Sequence, residues 1–103
     1  LVLLGMGEDG HTASLFPGHT HASGQAAVAV YDAPKPPPER ISLSTQALGN
    51  CRGMLVLVCG SGKRSAIAKW TQGETLPVSQ VVNAADHAIV IMDTAASPET
   101  TAC

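Results

Sequence analysis

Aromatic residues make up only 3% of this 103-residue chain, with one Phe, one Tyr and one Trp, so a core must be assembled from Val, Leu, Ile and Ala. Charge is sparse as well: 14% of residues are charged, the net charge is −2, and there is no basic run. A surface without a basic patch has no electrostatic hold on a phosphate backbone, which argues against nucleic acid as a partner. Long apolar runs are missing and fall far short of the ~20 residues of a membrane-spanning helix. Leu1-Val2-Leu3-Leu4 has no basic flank and does not read as a signal peptide. The cysteines, Cys51, Cys59 and Cys103, are odd in number and lack metal-type spacing. They read as free thiols in a reducing, cytoplasmic compartment, with Cys59 as a core residue at the end of an apolar strand.

What is present is apolar enough to fold. Hydrophobic residues are 45% of the chain, which fits a globular domain rather than a disordered one. The length suits one small domain or a piece of a larger one. The chain opens at Leu1, without Met and inside an apolar run, and reads as a fragment that lacks its N-terminal part.

Residues 1–5 predict a short buried strand, residues 5–12 a loop, and residues 12–16 one helical turn stopped by Pro17-Gly18. Residues 25–31 predict a second strand. Pro34, Pro36, Pro37 and Pro38 make residues 33–39 a stiff, extended connector. Residues 40–44 suggest a short strand and residues 45–50 a brief helix. Residues 54–59, Met-Leu-Val-Leu-Val-Cys, are the clearest strand, apolar on both faces as a central parallel strand should be. Residues 61–72 are the clearest helix, with Ser61 as N-cap, Gly73 past the end, and Ala66, Ile67 and Trp70 on one core-facing stripe. A linker containing Pro77 follows, then a strand over residues 88–92, and Asp93-Thr94 as the start of a terminal helix. This alternation predicts a single α/β domain, a mostly parallel sheet covered by helices on both faces. Ligands in such sheets bind at the carboxyl ends of the strands, where two loops fall, residues 5–12 and residues 60–63.

The first loop admits two readings. Gly5-x-Gly7-x-x-Gly10 follows a strand and matches the dinucleotide fingerprint, and Asp32 lies at about the distance of a ribose-binding acid. Against this, Glu8 and Asp9 place negative charge where a pyrophosphate would sit, and Pro17-Gly18 cuts off the long helix that should follow. In the other reading, Gly7 and Gly10 let the backbone approach a ligand. Asp9 then orients His11 and stabilises its imidazolium, leaving His11 as a general base near neutral pH. The bland alternative is a helix-capping Asp9 beside a solvated His11.

Residues 5–18 as a whole, Gly-Met-Gly-Glu-Asp-Gly-His-Thr-Ala-Ser-Leu-Phe-Pro-Gly, resemble the signature of the 6-phosphogluconolactonases. These share a superfamily with the glucosamine-6-phosphate deaminases, which continue differently after Gly-x-Gly-x-Asp-Gly-His. Thr12-Ala13-Ser14-Leu15-Phe16-Pro17 follows the lactonase branch. The resemblance is strong over residues 1–18, moderate over 38–72 and weak after 73.

In the second loop, Lys63 and Arg64 fall in the first turn of a helix, where each cation is disfavoured by roughly 0.3–1 kcal/mol. A bound anion would supply a reason for them, and two solvated charges are the plain alternative. The spacing is not that of a Walker A loop. Gly60-x-x-Lys63 resembles the family's phosphate-binding Gly-x-x-Lys. Arg64 has no such counterpart and reads as surface. Arg40, after the proline run, fits a phosphate or carboxylate clamp or a surface salt bridge with Glu39. Ser14 lacks a nucleophile elbow and reads as structural. His19-x-His21 and His87 lack the ligand set of a metal site.

The resemblance therefore implies an α/β fold of the phosphosugar isomerase and CoA-transferase-like type, incomplete at its N-terminus. It implies metal-free and cofactor-free hydrolysis of 6-phospho-D-glucono-1,5-lactone in the oxidative pentose phosphate pathway. His11 and Asp9 would be catalytic, with Gly7, Gly10, Arg40 and Lys63 binding substrate. The partner would be the phosphosugar lactone, with glucose-6-phosphate dehydrogenase as pathway neighbour or fusion partner. Two rivals stay open: a deaminase- or isomerase-type phosphosugar enzyme, and a non-catalytic sugar-phosphate-binding module.

Overall fold

The computed structural model describes residues 1–21 and 23–98. Three parallel strands form the main sheet in the order β1 (Val2–Gly5), β4 (Met54–Val58), β5 (Ala88–Met92). Leu3 pairs with Leu55 and Leu55 with Ile89, so all three strands run out at the same edge. β2 (Ala27–Val30) and β3 (Arg40–Leu43) form a separate antiparallel pair. The proline-rich connector thus returns the chain beside itself rather than crossing over to a parallel neighbour.

Alternation along β4 puts Met54, Val56 and Val58 inward, and they join Leu48, Ile67, Val78 and Val81 in one aliphatic core. Each of these fully buried side chains contributes about 1.5–3 kcal/mol by leaving water. All three helices add to this one cluster. The opposite face of the sheet, carrying Leu3, Leu57, Ile89 and Ile91, is exposed. The expectation of cover on both faces is therefore corrected for the described residues.

Helix α1 (Thr45–Gly49) starts where the Ser44 hydroxyl accepts the Ala47 N–H. The long predicted helix divides into a 3₁₀ turn (Ser61–Lys63) and α2 (Arg64–Thr71), and Ser61 does not cap it. The Lys63 N–H closes onto the Gly60 carbonyl at 3.1 Å, a three-residue spacing that tightens this first turn. Gly73, at φ +94°, ends α2 as expected: its N–H bonds the Trp70 carbonyl and that of Glu74 bonds the Lys69 carbonyl.

Helix α3 (Pro77–Ala84) occupies the stretch read from sequence as a linker. Pro77 opens the helix rather than breaking it, because the first helical residue needs no N–H partner and its φ is already set. The Ser79 hydroxyl locks the start, accepting the Leu76 N–H and donating to the Leu76 carbonyl, each at 2.8 Å. Residues 12–16 form a tight turn, with Thr12 bridged to Leu15, and not a helical turn. Cys59 is exposed, not core: it falls just past the last inward position of β4. Asp93 opens a turn by accepting the Ala96 N–H, and Cys103 lies outside the described residues. No helix among the described residues is long and apolar enough to cross a membrane.

Candidate functional site

The carboxyl ends of β1, β4 and β5 meet at one edge, and the glycine loop leaves β1 there. Thr12, 1% exposed, donates its hydroxyl to the Gly5 carbonyl at 2.8 Å and clamps the two ends of the loop. Inside the clamp the Gly7 N–H bonds the His11 carbonyl and the Gly10 N–H bonds the Gly7 carbonyl. Gly10 takes φ +87° and lies under Leu76, where a Cβ would meet that side chain at 3.0 Å. Its carbonyl accepts the Val78 N–H at 3.1 Å, so the start of α3 seats the loop.

This fold of the loop brings Asp9 against His11. Asp9 Oδ1 accepts the His11 backbone N–H at 3.0 Å and lies 2.5 Å from His11 Nδ1. An ionised carboxylate can only accept, so Nδ1 carries the proton and the neutral imidazole presents Nε2 as its basic atom. Gly7 supplies the space: a Cβ there would fall 2.0 Å from both His11 Nδ1 and Cε1.

Partial burial pushes the Asp9 carboxyl up, but the backbone N–H and imidazole of His11 outweigh it and hold the group below the usual aspartate range. A depressed folded value means that the pair's stabilisation is complete above the ordinary aspartate value of about 3.9 and is lost as pH falls through the lower folded value. Asp9→Asn should therefore be less stable than wild type at neutral pH, with the gap closing on acidification. Denaturant midpoints measured across that range check this, and a gap independent of pH would contradict it.

The second loop adjoins the first. Lys63 donates its ammonium to the Met6 carbonyl, next to Gly7. Glu8 lies over Gly62, where a Cβ would meet its Oε1 at 2.8 Å. The Gly60 N–H is taken by the Asp93 carboxylate, at 3.1 and 3.2 Å to its two oxygens, so this amide already has an anionic partner. Arg64 is half-buried rather than a free surface residue, and its Nε donates to the Ala95 carbonyl at 3.2 Å. The sequence offers Asp93 only as the start of a terminal helix and does not show its link to Gly60. Its place directly after β5, at the ligand-bearing edge, was the available signal.

Arg40 makes no ion pair with Glu39 among the described residues. Its Nε donates to the Pro37 carbonyl at 3.0 Å, and its Nη2 to the Lys35 and Pro36 carbonyls at 2.9 and 3.1 Å. The guanidinium carbon lies 5.3 Å from the Phe16 ring centroid, and His11 stacks on the same ring at 4.7 Å. Gly7, Asp9, Gly10 and His11 thus form one unit, Lys63 bonds into it, and Arg40 joins it through Phe16. The backbone N–H of Ser14 bonds the Ser42 hydroxyl at 3.1 Å. Asp32 follows β2, in the connector of the separate antiparallel pair, rather than a strand of the main sheet, and no helix starts at Gly10, so the dinucleotide reading loses both its acid and its helix dipole. Among the described residues no cluster of His, Cys, Asp or Glu is placed to hold a metal.

A parallel sheet whose glycine loop and lysine loop meet at the carboxyl edge defines an α/β protein of the open-sheet, ligand-binding class. The chain belongs to the family described as glucosamine-6-phosphate isomerases/6-phosphogluconolactonase, which matches residues 1–91. It is 41% identical over 100 residues to 6-phosphogluconolactonase 3, chloroplastic, of Arabidopsis thaliana, covering 94% of this chain and 31% of that protein. It is 51% identical over 69 residues to the 6-phosphogluconolactonase of Mycobacterium bovis, covering 64% of this chain and 28% of that one. The solved 6-phosphogluconolactonase of Leishmania guyanensis superposes with a TM-score of 0.72 at 27% identity, over 92% of this chain and 39% of that one. The chain therefore spans about a third of the length of the curated relatives it matches.

Proposed function

We propose that the full-length protein hydrolyses 6-phospho-D-glucono-1,5-lactone to 6-phospho-D-gluconate, the lactone step of the oxidative pentose phosphate pathway, and that residues 1–103 are the C-terminal part of its single lactonase domain. The observation that carries this reading is the Asp9–His11 pair: Nδ1 is held by the carboxylate, Nε2 is left as the basic atom, and the pair sits in a loop to which Lys63 is bonded. The names of the relatives support the choice of substrate.

In this mechanism His11 Nε2 takes a proton from water as the water oxygen bonds to the lactone carbonyl carbon. Asp9 stabilises the imidazolium so formed. The tetrahedral intermediate collapses with cleavage of the bond from that carbon to the ring oxygen, and the imidazolium returns its proton to the departing oxygen. Backbone N–H groups of the glycine loop stabilise the oxyanion. Lys63 and Arg40 hold the phosphate and so place the carbonyl over His11. No metal or cofactor takes part. A dehydrogenase that generates the lactone is the expected pathway neighbour or fusion partner.

The test is a lactonase assay on the full-length protein with freshly generated 6-phosphogluconolactone, spontaneous hydrolysis subtracted. Accelerated ring opening is expected. Release of ammonia from glucosamine 6-phosphate without lactone hydrolysis would move the reading to the deaminase branch, and phosphogluconate binding without turnover to a non-catalytic module.

A further inference from the structure

Phe16, the one phenylalanine in the chain, is 3% exposed. It nevertheless stands outside the aliphatic core cluster that its neighbour Leu15 joins. Its ring lies against three nitrogen-bearing side chains. His11 lies 4.7 Å away between centroids, tilted by 38°. The Arg40 guanidinium carbon is 5.3 Å from the ring centre. His19 approaches edge-on at 5.8 Å.

We propose that Phe16 is a positioning residue, its ring the shared platform that seats the His11 imidazole and the Arg40 guanidinium at one fixed separation. The proposal rests on the catalytic reading of His11. It extends that reading by naming what couples the proton-transferring group to the substrate-binding cation. Gly7 bounds the imidazole as well, so with Asp9 on Nδ1 the ring has little freedom left. An aromatic ring attracts a cation within about 6 Å of its centre. Arg40 has that attraction at all times. His11 acquires it only when it takes up a proton, so the platform favours the transition state over the ground state.

The experiment compares Phe16→Leu and Phe16→Tyr in the full-length protein. Leucine keeps an apolar side chain of similar bulk but removes the ring. It is expected to lower kcat by roughly 10- to 100-fold, the scale of a reacting group displaced by a fraction of an ångström to an ångström, and to raise KM by a smaller factor, because Arg40 loses the ring but keeps its hydrogen bonds to the Lys35, Pro36 and Pro37 carbonyls. Tyrosine keeps the ring and is expected to restore both. The His11 Cε1–H proton resonance, assigned by comparison with His11→Gln, should lose its ring-current displacement in Phe16→Leu and keep it in Phe16→Tyr. Wild-type kcat and KM in the leucine variant would overturn the proposal, as would an unmoved His11 resonance. An equal loss in both variants that tracks loss of folded protein would also overturn it, since Phe16 would then only fill space. If His11→Gln retains full turnover, the catalytic reading fails, and the resonance in Phe16→Leu still decides whether the platform exists.

Discussion

Replacing His11 with alanine in the full-length protein is expected to lower kcat for lactone hydrolysis by about 10²–10⁴-fold, the usual contribution of a positioned general base. KM should change little, because substrate binding is assigned to Lys63 and Arg40, and the Asp9–His11 hydrogen bond sits on the loop side of the imidazole. The fold should survive. His11 lies outside the aliphatic core, and the loop keeps its clamp from Thr12 to the Gly5 carbonyl and its seat at the start of α3. The measurement is the initial rate at saturating substrate for both proteins, with uncatalysed hydrolysis subtracted and circular dichroism recorded alongside. Turnover equal to wild type in a folded His11→Ala protein would remove the imidazole from the mechanism.

Gly7→Ala is expected to do nearly as much damage with a single methyl group. Gly7 is not among the glycines at positive φ, so alanine meets no backbone penalty there. Its obstacle is the His11 ring, 2.0 Å from where the methyl carbon would stand and 2.9 Å at Nε2. The imidazole must move, and moving it breaks the 2.5 Å contact with Asp9. A misplacement on the ångström scale costs on the order of 10²-fold in rate. Stability should change far less, since the loss of chain entropy in the unfolded state favours alanine by about 0.4–1 kcal/mol. A double-mutant cycle makes the argument specific: in a His11→Ala background the ring is gone, so adding Gly7→Ala should cause no further loss. An additive loss in the double variant would show that Gly7 acts by some route other than His11.

Much of this was legible along the chain. The apolar runs at β1, β4 and β5 marked the parallel strands, although only one face of that sheet is covered among the described residues. Gly73 marked the end of α2, and the order Asp9-Gly10-His11 contained the whole of the hydrogen-bonded pair. Such features are local: the groups that interact lie within a few residues of each other. The errors share a different cause. Pro77 reads as part of a linker because a proline carries the same signal there as at the first position of a helix. What decides between them is the burial of Val78 and Val81 against distant strands. Cys59 was read as core because apolar continuity does not tell which alternate residue is the last to face inward.

The sequence by itself determined the parallel strands, the carboxyl-edge loops and the chemical identities of Asp9, His11 and Lys63. Only the tertiary structure decided how those groups meet. Lys63 reaches the Met6 carbonyl from 57 residues away, and Asp93 takes the Gly60 N–H from 33 residues away. Phe16 joins His11, on its own loop, to Arg40, which opens β3. Such contacts depend on the register of parallel strands and on how the helices pack over them. They follow from burial of the whole core at once and leave no short-range pattern for a sequence to display.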